Sequence, residues 1–255
     1  MAKDEHLVED REGQRYIVGD GLEQLRDLSG RASVIHLDDA WARPHRAGQF
    51  GVTYPTHDFE QTEAILDACK QALRPGGWLI ADADDWVLPH LIQYLQETWG
   101  NVAKEYRGGG YRRVGGVTYV TKEGDPDCST SGAYLTNGGY PVVFAHKGET
   151  ERVTDVSARQ LAQRQREHFG WGSVKPIEPY YEWLHGLYDP DDDGMLVVPC
   201  AGTAPAAIAV EQLYLDGIYD TRPRYVCIDC EEEAREAFRQ RRDAELKQPP
   251  SRVSD

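Results

Sequence analysis

The stretch GMLVVPCAGTAPAAIAVEQLYL, residues 194–215, predicts a strand, a tight loop and a helix in direct succession. Its first part is a continuous apolar run, which is typical of a strand covered on both faces. Small residues follow, and Pro205 stands where the first turn of a helix tolerates proline. The stretch PRYVCID, residues 223–229, predicts a second strand, followed by a helix over 231–246. This order of elements favours a parallel sheet with helices on its faces.

The same alternation of strand and helix signals runs through the N-terminal half of the chain. Apolar runs alternate with amphipathic segments that end at glycine or at Pro-Gly-Gly. In chain order we predict a strand at 15–20, a helix ending at Gly30, a strand at 32–38, a helix from Asp58 to the Pro-Gly-Gly at 75–77, a strand at 78–83 and a helix at 84–100 with a kink at Pro89.

The centre of the chain has a different character, because β-forming residues dominate between 101 and 146. A polar segment rich in Arg and Gln, 151–169, predicts a helix, and another helix begins near Pro176. Together the elements predict an α/β fold with a mostly parallel, doubly wound, Rossmann-like sheet and an antiparallel element. We expect one domain over 1–247 and a flexible tail over 248–255.

The charge balance is strongly acidic, with 43 Asp and Glu against 28 Lys and Arg and a net charge of −15. Taken alone, this charge argues against a nucleic-acid partner. Lysine is scarce, however, and an acidic surface with little lysine is typical of proteins that work in molar salt, where the Debye length is roughly 3 Å. We therefore favour a halophilic source, haloarchaeal or haloviral, in which clustered arginines still contact DNA.

No apolar run approaches the roughly 18 residues that a membrane span needs, and the charged N-terminus has no signal-peptide segment. We therefore expect a cytoplasmic protein without a membrane partner. The five cysteines are irregularly spaced and predict free thiols. The acidic turn at 189–194 has Cys200 where a calcium loop needs Glu, and the pair Cys227 and Cys230 has no second pair. We expect a solvated turn, buried thiols and no metal site.

Chemically suggestive residues follow three of the predicted strands. Since ligands of such sheets bind outside the carboxyl ends of the strands, these positions are the candidates for a site. Small residues at 199–204 let the backbone approach a ligand before a helix N-terminus. Asp229 is suited to accept hydrogen bonds from two ribose hydroxyls, although it could instead cap the last helix. Asp38 ends the strand at 32–38, and Asp39 and Trp41 come directly after it.

The order of these motifs resembles the DNA amino-methyltransferases, which methylate adenine N6 or cytosine N4 from S-adenosylmethionine. The resemblance is to the class with an N-terminal catalytic motif and a C-terminal cofactor motif. It is carried by RYIVGDGLEQLRDLSGRASVIHLDDAW, LRPGGWLIAD, Lys175-Pro176, VPCAGTA and YVCID, and it covers 15–240. Asp38-Asp39-Ala40-Trp41 falls on the family's Asp-Pro-Pro-Tyr motif, so both prolines are replaced.

The resemblance implies an S-adenosylmethionine-dependent methyltransferase fold with double-stranded DNA as the partner. The side chain of Asp38 and the backbone carbonyl of Asp39 would accept hydrogen bonds from the target amino group, and Trp41 would stack on the flipped base. Loss of the prolines removes rigidity, which affects positioning and rate. In the cofactor loop, Val198 and Ala204 replace the family's Asp and second Gly.

The cofactor-binding residues that the resemblance implies are Asp20, Lys175, Pro199, Ala201, Gly202, Thr203 and Asp229. The DNA-binding candidates are Arg43, Arg46, Arg107, Arg112 and Arg113. The segment at about 150–172 is the candidate for a small target-recognition element. Asp20 could simply cap a helix, and each arginine could simply be solvated. Two alternatives stay open: a methyltransferase of RNA or of a small molecule, and a degenerate relative that binds DNA without turnover.

Overall fold

The computed structural model describes residues 7–11, 13–39, 57–101, 108–127, 138–192 and 194–246. Four predicted site residues lie outside these ranges: Trp41, Arg43, Arg46 and Arg107. The predicted tail over 248–255 also lies outside the described residues. No helix in the described part of the chain is long and apolar enough to cross a membrane.

The described residues form nine strands and six α-helices. The strands are β1 (Leu7–Arg11), β2 (Gln14–Val18), β3 (Ala32–Leu37), β4 (Leu73–Asp82), β5 (Gly110–Val120), β6 (Gly139–His146), β7 (Arg159–Gln163), β8 (Met195–Pro199) and β9 (Tyr225–Asp229). The helices are α1 (Gly21–Asp27), α2 (Phe59–Ala72), α3 (Leu88–Tyr94), α4 (Glu178–Leu187), α5 (Pro205–Leu215) and α6 (Glu232–Glu245), and a π-helical turn, Leu95–Trp99, extends α3.

All nine strands form one sheet in the order β1-β2-β9-β8-β3-β4-β6-β5-β7. Strands β2, β9, β8, β3 and β4 are parallel to their neighbours in this series, and β6 is antiparallel to both β4 and β5. The predicted α/β class, the mostly parallel sheet and the antiparallel element are therefore confirmed. The chain runs outward from β8 to β9 on one side and from β3 to β4 on the other, so the order reverses between β8 and β3.

Apolar layers cover the two faces of this sheet. One layer is formed by α4, α5 and α6 and contains Tyr180, Trp183, Ile208 and Phe238. The other is formed by α1, α2 and α3 and contains Leu25, Ile65 and Leu91. The central strands β3, β8 and β9 are buried along their whole length, which explains their continuous apolar sequences.

The predicted helix at 151–169 is wrong, because its centre is the edge strand β7. Strand β7 pairs in parallel with the second half of β5, from Gly116 opposite Arg159 to Val120 opposite Gln163. Hydrogen bonding to the otherwise open edge of β5 overrides the helical propensity of the Arg- and Gln-rich sequence. Gly115 permits the approach, since a Cβ atom there would lie 1.9 Å from the carbonyl oxygen of Ala158.

Two helix boundaries also differ from prediction. Helix α2 ends at Ala72, and the Pro-Gly-Gly sequence lies inside β4, where Gly76 has a φ of +77°. Helix α3 begins only at Leu88, since the Asp84 carboxylate accepts hydrogen bonds from the amides of Trp86 and Val87, both at 2.9 Å, in a preceding turn. Pro89 therefore occupies the first turn of α3, where it is tolerated, rather than a kink.

The acidic turn at 189–194 is more than a solvated loop. The Asp192 carboxylate pairs with both Arg74, through its two terminal nitrogens, and Arg152, at 2.8 Å. Arg152 also reaches Asp189 at 3.0 Å. The turn is thereby fastened to the start of β4 and to the segment before β7.

Candidate functional site

A cleft of about 350 Å³ opens where β3, β8 and β9 end at the same edge of the sheet. It lies at the reversal of strand order, where ligands of open α/β sheets bind. Its volume is within the range of about 300–1,000 Å³ that small-molecule sites occupy. Its lining includes three carboxylates, Asp20, Asp38 and Asp229, and one ammonium, that of Lys175.

The loop after β8 reverses direction tightly before α5 begins. Cys200, Gly202 and Ala204 have left-handed φ angles of 53°, 48° and 44°. The amide of Ala201 donates to the Ile228 carbonyl at 2.9 Å, which keeps the loop against the end of β9. Of the residues predicted to bind a cofactor, Ala201, Gly202 and Thr203 line the cleft, whereas Pro199 is the buried last residue of β8.

Gly202 is close to an aromatic ring as well as to the open cleft. A Cβ atom at this position would lie 2.9 Å from the indole nitrogen of Trp171, which also lines the cleft. The hydroxyl of Tyr16 donates to the carbonyl of Gly202 at 2.8 Å. The glycine is therefore favoured by its left-handed backbone conformation and by the close approach of the indole, in addition to any ligand.

Asp229 ties this loop to the end of β9. Its Oδ2 accepts a hydrogen bond from the Gly202 amide at 2.8 Å, and its Oδ1 accepts one from the Glu231 amide at 3.1 Å. Burial raises the pKa of Asp229, and the hydrogen bond from Gly202 opposes that shift. The N-cap of α6 is Glu231, so Asp229 is not the cap.

Asp20 does cap a helix. It is the N-cap of α1, and its carboxylate accepts hydrogen bonds from the amides of Leu22 and Glu23 at 2.8 and 3.0 Å. It also lines the cleft. The structural alternative raised by the sequence is thus correct, and it does not exclude contact with a ligand.

Asp38 forms part of a chain of charged groups. The ammonium of Lys175 lies 2.5 Å from Asp38 Oδ1 and 2.8 Å from Oδ2 of Asp82, the last residue of β4. The same Asp82 oxygen accepts hydrogen bonds from the Tyr180 hydroxyl at 2.5 Å and from His36 Nε2 at 3.0 Å. The side chain of Asp82 is fully buried, whereas 34% of the Asp38 side chain is exposed.

The pKa values of the Asp38 and Asp82 carboxylates are shifted in opposite directions. Burial by itself would raise the pKa of Asp82, but the Lys175 ammonium and the neighbouring His36 lower it to about 2. Burial raises the pKa of Asp38, and the negative charge of Asp82 adds to that rise, while Lys175 opposes it. Burial disfavours the charged form of Lys175, but its two carboxylate partners raise its pKa. Asp38 is thus the carboxylate that exchanges a proton more readily.

The buried carboxylate of Asp39 has a separate set of partners from that of Asp38. It accepts hydrogen bonds from the Thr62 hydroxyl at 2.6 Å, from His57 Nδ1 at 2.7 Å and from the Cys200 thiol at 3.7 Å. The hydrogen bond with Asp39 raises the pKa of His57. The Asp39, His57 and Cys200 ligand atoms lie within 4.8 Å of one another, and these hydrogen bonds account for their proximity. The Asp39 side chain therefore anchors the backbone of the loop.

Arg241 is a buried residue of the site that the sequence analysis missed. From α6, its Nη1 donates to the Thr203 hydroxyl at 2.9 Å and its Nη2 donates to the Lys175 carbonyl at 2.7 Å. Burial lowers the pKa of its guanidinium to about 10. The sequence contains a signal, because Ala234, Ala237, Phe238 and Arg241 follow the i, i+3, i+4, i+7 spacing of a core-facing stripe.

The structure separates the described DNA-binding candidates from the cleft. Arg112 and Arg113 lie near the start of β5, at the opposite edge of the sheet, where they line a second cavity of about 410 Å³ with Trp78 and Glu149. The reason is the reversal at β6, which makes β5 run in the same direction as β4. Their DNA contact was predicted from the clustering of arginines in the sequence, which does not show the direction of this strand.

Further residues lie on the Asp38 side, among them Arg164, an arginine of the Arg- and Gln-rich segment that the sequence suggests for DNA contact. The Arg164 guanidinium, just after β7, lies 4.2 Å from the centre of the Tyr119 ring. The Lys175 ammonium lies 4.7 Å from the centre of the Tyr140 ring. The hydroxyls of Tyr140 and Tyr180 are 3.0 Å apart. These rings form an aromatic cluster beside Lys175, at the end of β5.

Comparison with known proteins gives structural matches but no sequence match. No protein-family model and no curated protein matches the chain. The M1.HpyAVI–SAM complex has 11% identity and a TM-score of 0.60, covering 89% of this chain and 98% of that one. The cytosine-N4-specific PvuII DNA methyltransferase has 11% identity and a TM-score of 0.62, covering 89% and 86%. TTHA0409 of Thermus thermophilus, complexed with S-adenosyl-L-methionine, has 12% identity and a TM-score of 0.52, covering 92% and 94%.

These matches establish that the chain has the same fold as the three proteins over most of its length. The position of the cleft is therefore described relative to the strand order and its reversal between β8 and β3. A shared fold does not define a reaction, which depends on the residues of the site.

Proposed function

We propose that this protein is an S-adenosylmethionine-dependent methyltransferase that modifies an exocyclic amino group of a DNA base, either adenine N6 or cytosine N4. The observation that carries the proposal is the position of Asp38. Its partly exposed carboxylate lines the cleft beside the loop after β8, which a hydrogen bond from Gly202 to Asp229 holds in place. An amino-group acceptor and a cofactor loop thus face the same space.

The donor set of the cleft fits S-adenosylmethionine. Asp229 uses each of its oxygens for one backbone amide, and a carboxylate has further lone pairs for ribose hydroxyls. Among the described lining residues, the carboxylates of Asp20, Asp38 and Asp229 outnumber the basic groups of Lys175 and His57, so this part of the lining complements a sulfonium cation. The indole of Trp171 offers an apolar surface beside Gly202.

In the proposed reaction, the bound cofactor supplies a methyl group whose bond to sulfur breaks as the bond to the amino nitrogen forms. Asp38 accepts a hydrogen bond from the amino group, and the backbone carbonyl of Asp39 accepts a second one. These two acceptors keep the nitrogen lone pair directed at the methyl group. The nitrogen then loses one proton, for which the Asp38 carboxylate is the nearest acceptor, and the proton passes on to water.

The DNA side of the site is proposed from charge and aromatic surface. Arg164 lies at the Asp38 edge of the sheet, where it pairs with Asp127 at 3.4 Å, and is suited to contact a phosphate, and the half-buried Tyr140 is suited to pack against a flipped base. Trp41 remains the predicted stacking residue, and Arg43, Arg46 and Arg107 remain predicted DNA contacts. A halophilic source remains part of the proposal, since local arginines must act within a chain of net charge −15.

The test is expression in a host that lacks DNA methylation, followed by single-molecule sequencing of the host genome. We expect a recurrent modified sequence whose base identifies adenine or cytosine as the target. The modification should vanish in Asp38→Ala and persist in Asp85→Ala, an exposed acid beyond the end of β4.

Calorimetry with S-adenosylmethionine separates the alternatives. A protein that binds the cofactor but leaves the genome unmodified would contradict DNA methylation and favour an RNA or small-molecule substrate. Absence of cofactor binding by folded protein would contradict every methyltransferase assignment and favour a degenerate DNA-binding relative.

A further inference from the structure

The proposed reaction does not use Asp82, although this residue is one of the most unusual groups near the site. Its carboxylate is fully buried at the end of β4. Its Oδ2 accepts three hydrogen bonds, from Lys175, Tyr180 and His36. Its Oδ1 is buried and has no hydrogen-bond partner among the described residues. An incompletely paired buried carboxylate lowers stability, and such groups are typical of functional positions.

The contacts of Asp82 fix the ammonium of Lys175. A lysine side chain is a flexible four-carbon stem, and a single partially exposed partner would not hold it in one position. Here Asp82 holds the ammonium at 2.8 Å, and the Tyr140 ring lies 4.7 Å from it. Arg241 fixes the main chain of the same residue through the Lys175 carbonyl.

The fixed ammonium in turn orients Asp38. It binds Asp38 Oδ1 at 2.5 Å, so the hydrogen bonds among the described residues leave Oδ2 available to an amino group in the cleft. We infer that Asp82 is a positioning residue, which acts through Lys175 to set the orientation and the charge of the Asp38 carboxylate. This inference rests on the proposed function of Asp38. The contact between Lys175 and Asp38 also restrains the catalytic motif. This restraint compensates for the rigidity that the motif lacks because Asp39 and Ala40 stand where the family has two prolines.

Several charged or titratable groups face Asp38 and must be considered together. They are Lys175, Asp82, His36, Tyr119, Tyr140, Tyr180, Cys200 and, on the adjoining loop, Asp39 and His57. Tyrosine and cysteine groups in this set are neutral at physiological pH, because burial raises their pKa values. Lys175 and Asp82 are therefore the groups whose removal changes the charge beside Asp38 most.

The two removals have opposite expected effects on the pH profile of methyl transfer. Asp82→Asn removes a negative charge and leaves the ammonium to Asp38 alone, so the pKa of Asp38 falls and the acidic limb moves to lower pH. Lys175→Met removes the only cation in contact with Asp38 among the described residues, so the acidic limb moves to higher pH. Lys175→Arg keeps the charge and should restore the limb nearly to its original position.

The rate should also fall selectively. In Asp82→Asn the ammonium is less firmly held, so we expect kcat to fall about ten- to hundredfold with little change in KM for S-adenosylmethionine. Asp85→Asn is the matched control, since this exposed acid neighbours the same strand end and should keep the parent rate and pH profile. Tyr180→Phe removes one hydrogen bond of Asp82 but no charge, and should leave the acidic limb in place.

A measurement that needs no activity keeps the inference separate from the proposed function. Carboxyl ¹³C NMR titration, with the Asp38 signal assigned by its loss in Asp38→Asn, should show a lower Asp38 pKa in Asp82→Asn, a higher one in Lys175→Met and a value near the parent's in Lys175→Arg. Should Lys175→Met fail to fold, the comparison of Asp82→Asn with Lys175→Arg still tests the direction. An unchanged Asp38 titration in folded Asp82→Asn would overturn the inference, even if the protein methylates DNA. Shifted titration without any methyl transfer would instead uphold the charge coupling and contradict the proposed function.

Discussion

The amide of Gly202 donates a 2.8 Å hydrogen bond to Oδ2 of Asp229, and this bond joins the loops that follow two neighbouring parallel strands. Because β8 and β9 end side by side, the bond fixes the floor of the cleft before any ligand arrives. A preformed loop of this kind lowers the ordering that binding requires.

The first prediction concerns Asp229. In Asp229→Asn one of the two backbone amides loses its acceptor, and a ribose hydroxyl loses a charged partner. Hydrogen bonds to charged groups contribute about 1.5–3 kcal/mol, so we expect S-adenosylmethionine to bind about ten- to hundredfold more weakly by calorimetry. Asp220→Asn, at an exposed position outside the cleft, should bind with parental affinity. Equal affinity in the two variants would remove Asp229 from the cofactor site.

The second prediction separates backbone strain from crowding at Gly202. An L-residue in the left-handed region loses roughly 1–2 kcal/mol of stability. Gly217→Ala has this strain alone, because its φ is +73° and no atom lies within 4 Å of the new Cβ atom. Gly202→Ala adds a contact at 2.9 Å with the Trp171 indole. We expect denaturant unfolding to show a larger loss in Gly202→Ala, and cofactor affinity to fall only there.

The third prediction tests the bridge made by Arg241. Arg241→Lys keeps a positive charge but cannot reach both the Thr203 hydroxyl and the Lys175 carbonyl, which the two guanidinium nitrogens now contact. We expect the free energy of unfolding to fall by about 1–3 kcal/mol and KM for S-adenosylmethionine to rise. Arg239→Lys is the control on the same helix, since its side chain is 60% exposed in an ion pair with Glu236 and should change stability little.

The fourth prediction is a pH dependence at Asp192. Hydrogen bonds from Arg74, together with Arg152, hold the pKa of Asp192 well below its usual range. A depressed pKa in the folded state stabilises the protein above the unfolded-state value of about 3.9, and this stabilisation is lost as the pH falls further. Asp192→Asn should therefore be less stable by about 1–2 kcal/mol at pH 7, with the difference narrowing below about pH 4. A difference that stays constant with pH would show that the charge is not responsible.

The fifth prediction concerns salt. A net charge of −15 destabilises the folded state by self-repulsion, and raising the ionic strength from 0.1 to 1 M shortens the Debye length from about 10 to 3 Å. We expect the Tm to rise with KCl over this range. The triple variant Glu123→Gln, Glu167→Gln, Asp220→Asn removes three exposed charges and should show a smaller rise. A Tm independent of salt would argue against the halophilic interpretation.

The alternation of strands and helices was predictable because its signals are local. Continuous apolar runs marked β3, β8 and β9, and residues that follow those runs, such as Asp38 and Asp229, necessarily reach the same edge of a parallel sheet. The helix predicted at 151–169 was wrong because the open edge of β5, which recruits β7, is not visible in the local sequence.

Tertiary structure alone decided which side chains act together. Asp82 and Arg241 reach the site through partners that are 93 and 66 residues away in sequence, and no local pattern encodes such pairs. The direction of the Asp39 carboxylate depends on Thr62 in α2, and the edge occupied by Arg112 depends on the reversal at β6. Sequence by itself therefore determined the elements and the strand ends, since both follow from local periodicity and burial. Packing between distant segments decided the charge environment of Asp38, because electrostatic coupling acts over a few ångströms of space whatever the separation along the chain.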